Sequence, residues 1–441
     1  MLKNRLNDRE LCLRGLKNVE RLVRMELDGV FNLLRSRKVF RVLSWFPLLL
    51  ATQTLAAPQN EDPVEALIKA GEAAFPQCIV AMQDKALKEG ISQQTIDSHL
   101  KPLKFVPRVI ELDRSQPEFT QTFANYFDKR VTDWRVSKGR ELLVEHKALL
   151  DKLKREYGVP PQYLLSFWGM ETNFGGYKGK MPVLDSLATL ACDSRRSGFF
   201  TQELMTALKL SQKYGFAAAD MQGSWAGAMG HTQFMPSAYA SYAVDGDGDG
   251  KADLWNSIDD ALTSAANFLA HLGWQRNERW GREVRLPESF DYQHLGQKKS
   301  LADWQALGLT QSNGQVLPQA QMEARLYLPA GHEGPAFLGY DNFQVIQRWN
   351  RSEFYAISVG HLADRISGAG LLAKAPPQQT RLSRAQIKAL QQKLNEQGFD
   401  AGKPDGILGR NSRASLQAFQ FSKGLVADGF PSAETFKALG L

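Results

Sequence analysis

One stretch of this 441-residue chain, an apolar helical pattern that ends in a glutamate, constrains the fold more than any other. The pattern starts at Pro160-Pro161, and proline suits a first helical turn because its φ is fixed and it lacks an N–H. One helical face then carries, at i, i+3, i+4 and i+7, Leu164, Phe167, Trp168 and Glu171. Gly175-Gly176 follows, and we expect the helix to end there. The sequence therefore predicts a helix whose apolar face finishes in a carboxylate.

Glu171 lies at a position that disfavours a negative charge. Apolar neighbours and the negative end of the helix dipole both raise the pKa of a carboxyl group. A carboxyl group with a raised pKa can act as a general acid near neutral pH. The alternative is a glutamate that turns out to solvent at a frayed helix end. The sequence that follows favours the general acid.

A second unusual stretch, residues 223–237, reads G-S-W-A-G-A-M-G-H-T-Q-F-M-P-S. Its small residues allow the backbone to approach a ligand closely, while Ser224 and Gln233 offer hydrogen bonds. Together with W-G-M-E-T-N-F-G at 168–175, this stretch resembles the lytic murein transglycosylase B family. The resemblance extends over residues 60–365, through the acidic segment after Val244 and into residues 348–352.

Acidic residues alternate with glycine in residues 245–255. Carboxylates at positions 1, 3 and 5, followed by Gly250 at position 6, match an EF-hand calcium loop. Asn256 departs from the bidentate Glu expected at position 12, but the resembled family has a similarly lengthened loop. The expected ligands of a structural calcium ion are Asp245, Asp247, Asp249, Lys251 through its backbone carbonyl, and Asp259. The alternative is a solvated Asp-Gly turn, and the ligand count favours the metal.

Residues 1–57 are predicted to be an N-terminal extension that ends in a signal peptide. Four basic residues in 35–41 precede an apolar run at 42–51, and small residues at 54–57 suit cleavage near Pro58. The apolar run is shorter than the roughly 20 residues that a membrane span needs, and an uncleaved anchor is the alternative. No cysteine lies at the cleavage site, so we expect no lipid anchor.

The basic net charge of the chain comes mainly from this N-terminal segment. Residues 1–41 hold eleven Lys/Arg and five Asp/Glu, against a net charge of +7 for the whole chain. The remainder is nearly neutral, so we infer no nucleic-acid partner. Downstream of the segment lie Cys78 and Cys192. In an oxidising compartment they could pair, and a disulfide and two buried thiols both stay open.

Helical periodicity dominates residues 61–210 and returns at 261–272. Residues 282–345 have a different pattern, which predicts a small mixed α/β subdomain. Its predicted elements are strands at Glu283–Leu286, Ala324–Leu328 and Phe337–Leu338 and a helix at Ser300–Leu307. Residues 372–381 include Pro376-Pro377 and predict an extended linker.

The C-terminal residues 382–441 form a compact unit with an internal repeat. Gly398-Phe399 and Asp405-Gly406 are echoed by Gly424-Leu425 and Asp428-Gly429. The unit resembles the three-helix peptidoglycan-binding domain in Asp405-Gly406-Ile407-Leu408-Gly409, Ser412, Ala414 and Phe419-Gln420. Serine replaces the usual threonine at position 412. No cluster of catalytic residue types is present, so the expected role of this unit is binding.

The two resemblances imply a mainly α protein. They imply a lysozyme-like α-helical catalytic domain at 58–371, which includes the mixed subdomain and the EF-hand-like loop, followed by the small three-helix domain. The implied enzyme is an exported lytic transglycosylase that cleaves the MurNAc-β-1,4-GlcNAc bond of peptidoglycan and leaves 1,6-anhydro-MurNAc ends. Glu171 would act as the acid and then as the base. The implied substrate-binding residues are Arg196, Phe199, Ser224, Gln233, Phe234, Trp349, Asn350 and Tyr355.

Two other functions stay open at this point. A hydrolytic muramidase would need a second carboxylate, and neither 168–176 nor 223–237 contains one besides Glu171. A cell-wall-binding scaffold would need no catalysis. The expected partners are peptidoglycan glycan strands, and the sequence is silent on proteins of cell-wall synthesis. The expected location is the periplasm of a Gram-negative bacterium.

Overall fold

The computed structural model describes residues 63–115 and 121–441, and the expected signal peptide lies outside them. Most of the described residues before 272 are helical, as the periodicity of residues 61–210 and 261–272 predicted. Its helices are α1 (Pro63–Lys88), α2 (Gln93–Thr95, continued as a π-helix over Ile96–Leu100), α3 (Pro107–Ser115), α4 (Phe123–Arg130), α5 (Asp133–Glu145), α6 (Lys147–Tyr157), α7 (Pro161–Thr172), α8 (Val183–Cys192), α9 (Ser197–Tyr214), α10 (Pro236–Tyr242) and α11 (Ile258–His271). Among the described helices, none has the length and apolar character required to cross a bilayer.

Several of these helices begin at a serine or threonine. The side chain of Thr122 accepts a hydrogen bond from the amide of Asn125, and Thr132 does the same for Arg135. Such N-caps satisfy an amide that the first helical turn leaves without a partner. The starts of α4 and α5 are therefore encoded locally in the sequence.

Two of the hydrophobic cores among the described residues meet at Trp349. The first includes α7, whose residues Leu164 and Phe167 are fully buried. The second is formed mainly by α8, α9 and residues around Phe234. Trp349 is partly buried and packs against both cores. Trp349 therefore has apolar packing partners in both cores.

Cys78 and Cys192 form a disulfide, which settles the alternative that the sequence left open. The bond joins α1 to the end of α8, and their Cα atoms are 6.0 Å apart. A second junction nearby is ionic. Asp113 at the end of α3 is 1% exposed and pairs with Arg195 at 2.7 Å and with Arg196. These contacts fix the N-terminal helices to the α8–α9 pair.

The mixed subdomain is confirmed as an antiparallel sheet with a short helix. The elements are β3 (Gly281–Arg285), β4 (Lys298–Ser300), α12 (Leu301–Ala306), β5 (Thr310–Gln311), β6 (Glu323–Tyr327) and β7 (Ala336–Gly339). The strand order is β4-β6-β7-β3-β5, and β7 pairs with both β3 and β6. A separate two-stranded ladder pairs β1 (Met181–Pro182) with β2 (Gln222–Gly223). After the sheet, α13 (Asp341–Trp349) and α14 (Glu353–Ile366) return the chain to α7.

The C-terminal unit contains α15 (Arg384–Glu396), α16 (Arg410–Ser422) and α17 (Ala433–Leu439). Its internal repeat has a physical basis in two buried glutamines. Gln391 accepts from the amide of Gly406 at 2.9 Å, and Gln420 accepts from the amide of Gly429 at 2.8 Å. Each glutamine side chain therefore holds one Asp-Gly turn against its helix, which explains why the same pattern occurs twice.

The C-terminal unit contacts the mixed subdomain directly. Asp428 accepts from the His332 amide at 2.9 Å, and the carboxylate lies 2.7 Å from Nδ1 of the same histidine. In the linker, the amides of Ala373 and Lys374 both donate to the Glu283 carboxylate at 2.8 Å. The extended linker is therefore held along the sheet, and the two units share a polar interface.

Candidate active site

Helix α7 carries Glu171 in its last turn. It begins at Pro161 as predicted, but it ends at Thr172, earlier than the glycine pair that the sequence suggested. Asn173 and Phe174 adopt left-handed backbone with φ of 52° and 57°. Their amides donate to the carbonyls of Gly169 and Trp168, which satisfies groups that the helix end would leave open. The predicted glycine stop is wrong because asparagine, which tolerates this conformation, comes first.

The Glu171 carboxyl group lies in a pocket of aromatic side chains. Tyr355 Oη donates to Glu171 Oε1 at 2.5 Å, and Trp349 Nε1 donates to the same oxygen at 3.0 Å. Burial raises the pKa of Glu171 from 4.5 to about 7, although the two hydrogen bonds lower it. Near neutral pH the group can therefore be found in both the acid and the carboxylate forms, as general acid–base catalysis requires.

Two helices after the sheet hold these two donors in place. Tyr355 is 3% exposed and lies in the first turn of α14. Burial raises the pKa of its phenol well above 10, so the hydroxyl stays a neutral donor. Trp349 ends α13, and its ring packs 4.6 Å from that of Phe167. Ser166 Oγ donates to the carbonyl of Val359 at 2.6 Å, which fixes α7 against α14.

Two residues of α4 near this pocket were missed by the sequence reasoning. Tyr126 is 9% exposed, and the Arg130 guanidinium lies 5.3 Å from its ring centroid. The positive charge of Arg130 lowers the pKa of Glu171, as the two hydrogen bonds do. No motif marks either residue, because the approach of α4 to the pocket is a tertiary feature. An aromatic–basic pair four residues apart on one helix face is the sole local signal.

The glycine-rich segment 223–237 is shaped by its own polar side chains. Ser224 Oγ accepts from the amide of Ala228 at 3.0 Å, and Gln233 donates to the carbonyls of Lys178 and Gly230 at 3.0 and 2.9 Å. Phe234 is 2% exposed and packs 5.5 Å from the Trp349 ring. The structure thus brings Phe234 to the aromatic support of the pocket, and it gives Ser224 and Gln233 roles in the loop fold.

The other predicted substrate-binding residues differ in their exposure and in the partners they already have. Arg196 pairs with Asp113, and its guanidinium lies 4.8 Å from the ring centroid of Phe200. Phe199 is 49% exposed. Asn350 is exposed and accepts from the amide of Ser352 at 3.0 Å. Phe199 and Asn350 are therefore available to a ligand, whereas Arg196 already has an ionic partner.

The acidic loop after Val244 brings three carboxylates together. One oxygen from each of Asp245, Asp247 and Asp249 lies within 4.8 Å of the others, and all three residues are exposed. Among the described residues, Asp259 is not part of that group. The loop is anchored instead by Asp260, which is fully buried and accepts from the amides of Gly246 at 2.7 Å and Asp253 at 2.6 Å.

The donor set of this loop fits a hard divalent cation. Three carboxylates that converge supply the oxygen ligands that calcium prefers. The amide of Lys251 donates to Asp249 Oδ1 at 2.8 Å, so the backbone of Lys251 lies beside the three carboxylates. The Lys251 ammonium itself lies 4.5 Å from the Phe216 ring centroid. The closing carboxylate, predicted as Asp259, stays a prediction.

Comparison with known proteins agrees with this geometry. Residues 74–364 match the transglycosylase SLT domain family, and residues 383–439 match a putative peptidoglycan binding domain. The membrane-bound lytic murein transglycosylase B of Escherichia coli (strain K12) is 30% identical over 361 residues, which cover 75% of this chain and 98% of that protein.

Solved structures give the same result. SltB3 from Pseudomonas aeruginosa, in complex with NAG-anhNAM-pentapeptide, is 43% identical with a TM-score of 0.80 and covers 83% of this chain and 99% of its own. The E. coli lytic transglycosylase Slt35, in complex with calcium, is 32% identical with a TM-score of 0.57 and covers 66% and 92%.

The helical fold and its half-buried glutamate with a raised pKa thus define an enzyme of the lytic transglycosylase class. The chain belongs to the transglycosylase SLT domain family, with a C-terminal peptidoglycan-binding domain. The fold class and the resemblances stated from the sequence are confirmed.

The Tyr355→Phe variant is expected to move the alkaline limb of the pH–rate profile to higher pH. The Tyr355 hydroxyl donates to Glu171 and favours its carboxylate, so the loss of that hydroxyl raises the pKa of Glu171 above about 7. The free energy of a hydrogen bond to a charged group corresponds to a shift of about one pH unit in the alkaline limb. The measurement is kcat/KM between pH 5 and 9. Tyr327→Phe, which removes a partly buried phenol hydroxyl, is the control, and an equal displacement in that variant would contradict the assignment.

Proposed function

We propose that this lytic transglycosylase cleaves the β-1,4 bond between N-acetylmuramic acid and N-acetylglucosamine in peptidoglycan, with Glu171 as both acid and base. The observation that carries the proposal is the Glu171 carboxyl group, whose pKa burial raises to about 7 and whose position Tyr355 and Trp349 fix. A group that exchanges its proton near neutral pH can serve both halves of one reaction.

In the first half of the reaction, the Glu171 carboxyl group protonates the glycosidic oxygen. The C1–O bond of the muramoyl residue breaks with oxocarbenium character, and the N-acetylglucosamine leaves with its hydroxyl group restored. In the second half, the Glu171 carboxylate takes the proton of the muramoyl C6 hydroxyl while that oxygen bonds to C1. The product is a 1,6-anhydro ring, the glutamic acid is regenerated, and no water is consumed.

One carboxyl group is sufficient for this scheme. Segments 168–176 and 223–237 contain Glu171 as their sole acidic residue, whereas hydrolysis with a general base would use a second carboxylate. The SltB3 relative was solved with a NAG-anhNAM-pentapeptide, a ligand that contains the anhydro sugar. SltB3 was also solved with NAG-NAM-pentapeptide, so the support for intramolecular ring closure over hydrolysis comes from the single carboxylate.

The test is mass spectrometry of muropeptides that the protein releases from purified sacculi. We expect products one water lighter than the corresponding reducing-end muropeptides. Reducing products would replace the proposal with a muramidase. If the protein pelleted with sacculi but released nothing, a binding scaffold would replace the enzyme.

We propose that Phe199 and Asn350 contact the glycan directly, while Ser224, Gln233 and Phe234 shape the pocket around it. Exposure supports the first pair, and the loop hydrogen bonds and the burial of Phe234 support the second set. Arg196 would contact substrate through the part of its guanidinium that Asp113 does not occupy. The C-terminal domain would hold the glycan strand while the catalytic domain cleaves it.

We propose that the protein works in the periplasm. Peptidoglycan lies outside the cytoplasmic membrane, and the Cys78–Cys192 disulfide agrees with an oxidising compartment. The signal peptide predicted at the end of the N-terminal extension, residues 1–57, would direct export.

We also propose a structural calcium ion at Asp245, Asp247 and Asp249, with the Lys251 carbonyl as a further ligand. The convergence of three carboxylates supports the site, and the E. coli relative Slt35 was solved with calcium. The ion would neutralise the three negative charges and hold the loop that Asp260 anchors.

Calcium is expected to raise the melting temperature of the catalytic domain, because a ligand that binds the folded state stabilises it by mass action. At about 100 times the dissociation constant the gain is about 2.7 kcal/mol, or roughly 5 °C for a domain of this size. The measurement is differential scanning calorimetry in calcium and in EDTA. Asp249→Asn should abolish the gain, while Asp220→Asn, at an exposed aspartate outside the cluster, should keep it. A gain that survives in Asp249→Asn would argue against the site.

A further inference from the structure

His231 is a buried histidine with a defined tautomer. It is 7% exposed, and Trp168 Nε1 donates to its Nδ1 at 3.0 Å. Since an indole nitrogen can donate but cannot accept, Nδ1 carries no hydrogen, and Nε2 carries it in the neutral ring. Burial lowers the pKa of His231 to about 4, so the ring is neutral at physiological pH.

The ring and the backbone of His231 both contact the catalytic helix. Trp168 precedes Glu171 by three residues on the same helical face. The His231 carbonyl accepts from Thr172 Oγ1 at 2.8 Å, and the same hydroxyl accepts from the Gly175 amide at 3.0 Å. A Cβ atom on Gly175 would lie 2.3 Å from the imidazole, so the glycine makes room for this ring. His231 therefore holds the helix on both sides of Glu171.

The opposite side of His231 contacts the segment that closes the acidic loop. Its amide donates to the Leu254 carbonyl at 2.8 Å, and Trp255 is the next residue of that segment. Lys178 Nζ also donates to the Trp255 carbonyl, at 2.6 Å. Two residues earlier, the amide of Asp253 donates to Asp260, the buried anchor of the loop, at 2.6 Å.

These contacts form a continuous series of hydrogen bonds from the acidic loop to the end of helix α7. We propose that His231 is a positioning residue that couples the order of the acidic loop to the placement of Glu171. The dependence on a cation rests on the proposed calcium site, whereas the positioning of Glu171 does not.

Coupling through His231 has a physical cause in the rigidity of its surroundings. The loop carries three exposed carboxylates, which repel one another until a cation or a change of conformation separates them. Asp260 hydrogen-bonds both Gly246 and Asp253, so a displacement of the loop also displaces residues 253–255. His231 contacts Leu254 on one side and Trp168 and Thr172 on the other, so the displacement reaches helix α7. A displacement of about 1 Å at a catalytic group can cost about a hundredfold in rate. A small rearrangement of the loop is therefore sufficient to change kcat.

The test uses the His231→Leu variant, which fills the space but removes the ring hydrogen bond with Trp168. His231→Asn is the conservative variant, because its side-chain oxygen lies close to the position of Nδ1 and can still accept from Trp168. The matched control is His361→Leu. His361 is also 7% exposed with its pKa lowered to about 4, but it lies on α14 and packs against Phe127. Circular dichroism first checks that each variant is folded, and His231→Asn serves if His231→Leu is not.

The first readout is kinetic. His231→Leu is expected to lower kcat about tenfold or more with KM changed less than about threefold, and His231→Asn should recover most of the loss. A purely structural role would lower kcat equally in His361→Leu or would leave His231→Asn no better than His231→Leu. Either result would overturn the positioning role.

The second readout is calcium affinity by calorimetry, with and without NAG-anhNAM-pentapeptide as the active-site probe. Linkage is reciprocal, so in the unmodified protein the probe should tighten calcium binding by about threefold or more. In His231→Leu the effect should be smaller, because the ring contact with Trp168 is lost while the backbone contacts with Leu254 and Thr172 remain. An unchanged calcium affinity in the unmodified protein, or a change of the same size in His231→Leu, would overturn the coupling. If the unmodified protein binds no calcium, the proposed metal site fails, and the kinetic readout still decides the role of His231.

Discussion

Replacement of Glu171 by glutamine is expected to lower kcat about a thousandfold while KM changes little. Glutamine keeps the volume of the side chain and can accept from Tyr355 and Trp349, but it cannot give up a proton. General acid–base catalysis contributes about 10² to 10⁴ in rate, and here one group would serve both steps. The measurement is release of soluble muropeptides from purified sacculi under single-turnover conditions.

Glu353→Gln is the matched control for this variant. Glu353 is a partly buried glutamate, and burial raises its pKa too, but it lies two residues before Tyr355 at the start of α14. It should keep most of its activity. If Glu353→Gln lost as much activity as Glu171→Gln, a second carboxylate would take part and hydrolysis would have to be reconsidered.

The same Glu171→Gln variant should be more stable than the unmodified protein at alkaline pH. The folded pKa of Glu171, about 7, is above the value of 4.5 that it has without burial. The folded state therefore binds the proton more tightly, and stability is lost as pH rises from about 4.5 through about 7. Glutamine removes that loss. The gain in melting temperature should thus be larger at pH 8 than at pH 4, and a gain that does not depend on pH would contradict the buried acid.

The elements with strong local signals were predictable from the sequence. The Pro160-Pro161 start of α7, the mixed subdomain and the paired Asp-Gly turns of the C-terminal unit all follow from residue pattern and are found in the structure. The end of α7 was misplaced because two positive-φ residues precede the glycine pair. Helix boundaries depend on such single-residue preferences, which periodicity does not contain.

The candidate site was predictable where a motif carried it, and less so where tertiary packing did. Glu171, Trp349 and Tyr355 come together as the family resemblance implied. Tyr126 and Arg130 were missed, because α4 is far from α7 in sequence and reaches the pocket through packing alone. His231 is part of the 223–237 motif, but the sequence predicts no role for this residue. Its role requires two contacts that the sequence does not reveal, one with Trp168 and one with Leu254.

The second large effect is expected from removal of the disulfide. The Cys78→Ser/Cys192→Ser double variant loses a cross-link between residues separated by 114 positions. A cross-link of about 100 residues restricts the unfolded chain by up to about 4.7 kcal/mol, and native disulfides contribute about 2–5 kcal/mol. The melting temperature of the catalytic domain should therefore fall by several degrees. The measurement is scanning calorimetry of the double variant, in which no unpaired thiol is left to form new bonds in this region.

The C-terminal domain supplies an internal control for that experiment. Residues 382–441 contain no cysteine and have their own buried core around Leu390 and Phe419. The melting temperature of this domain should therefore be the same with and without the disulfide. A selective fall in the catalytic transition would locate the stabilisation in the link between α1 and α8. Reduction of the unmodified protein should reproduce the fall, since the same constraint on the unfolded chain is then lost. Equal melting temperatures with and without the disulfide would mean that the α3–α9 ion pairs at Asp113 already hold this junction without it.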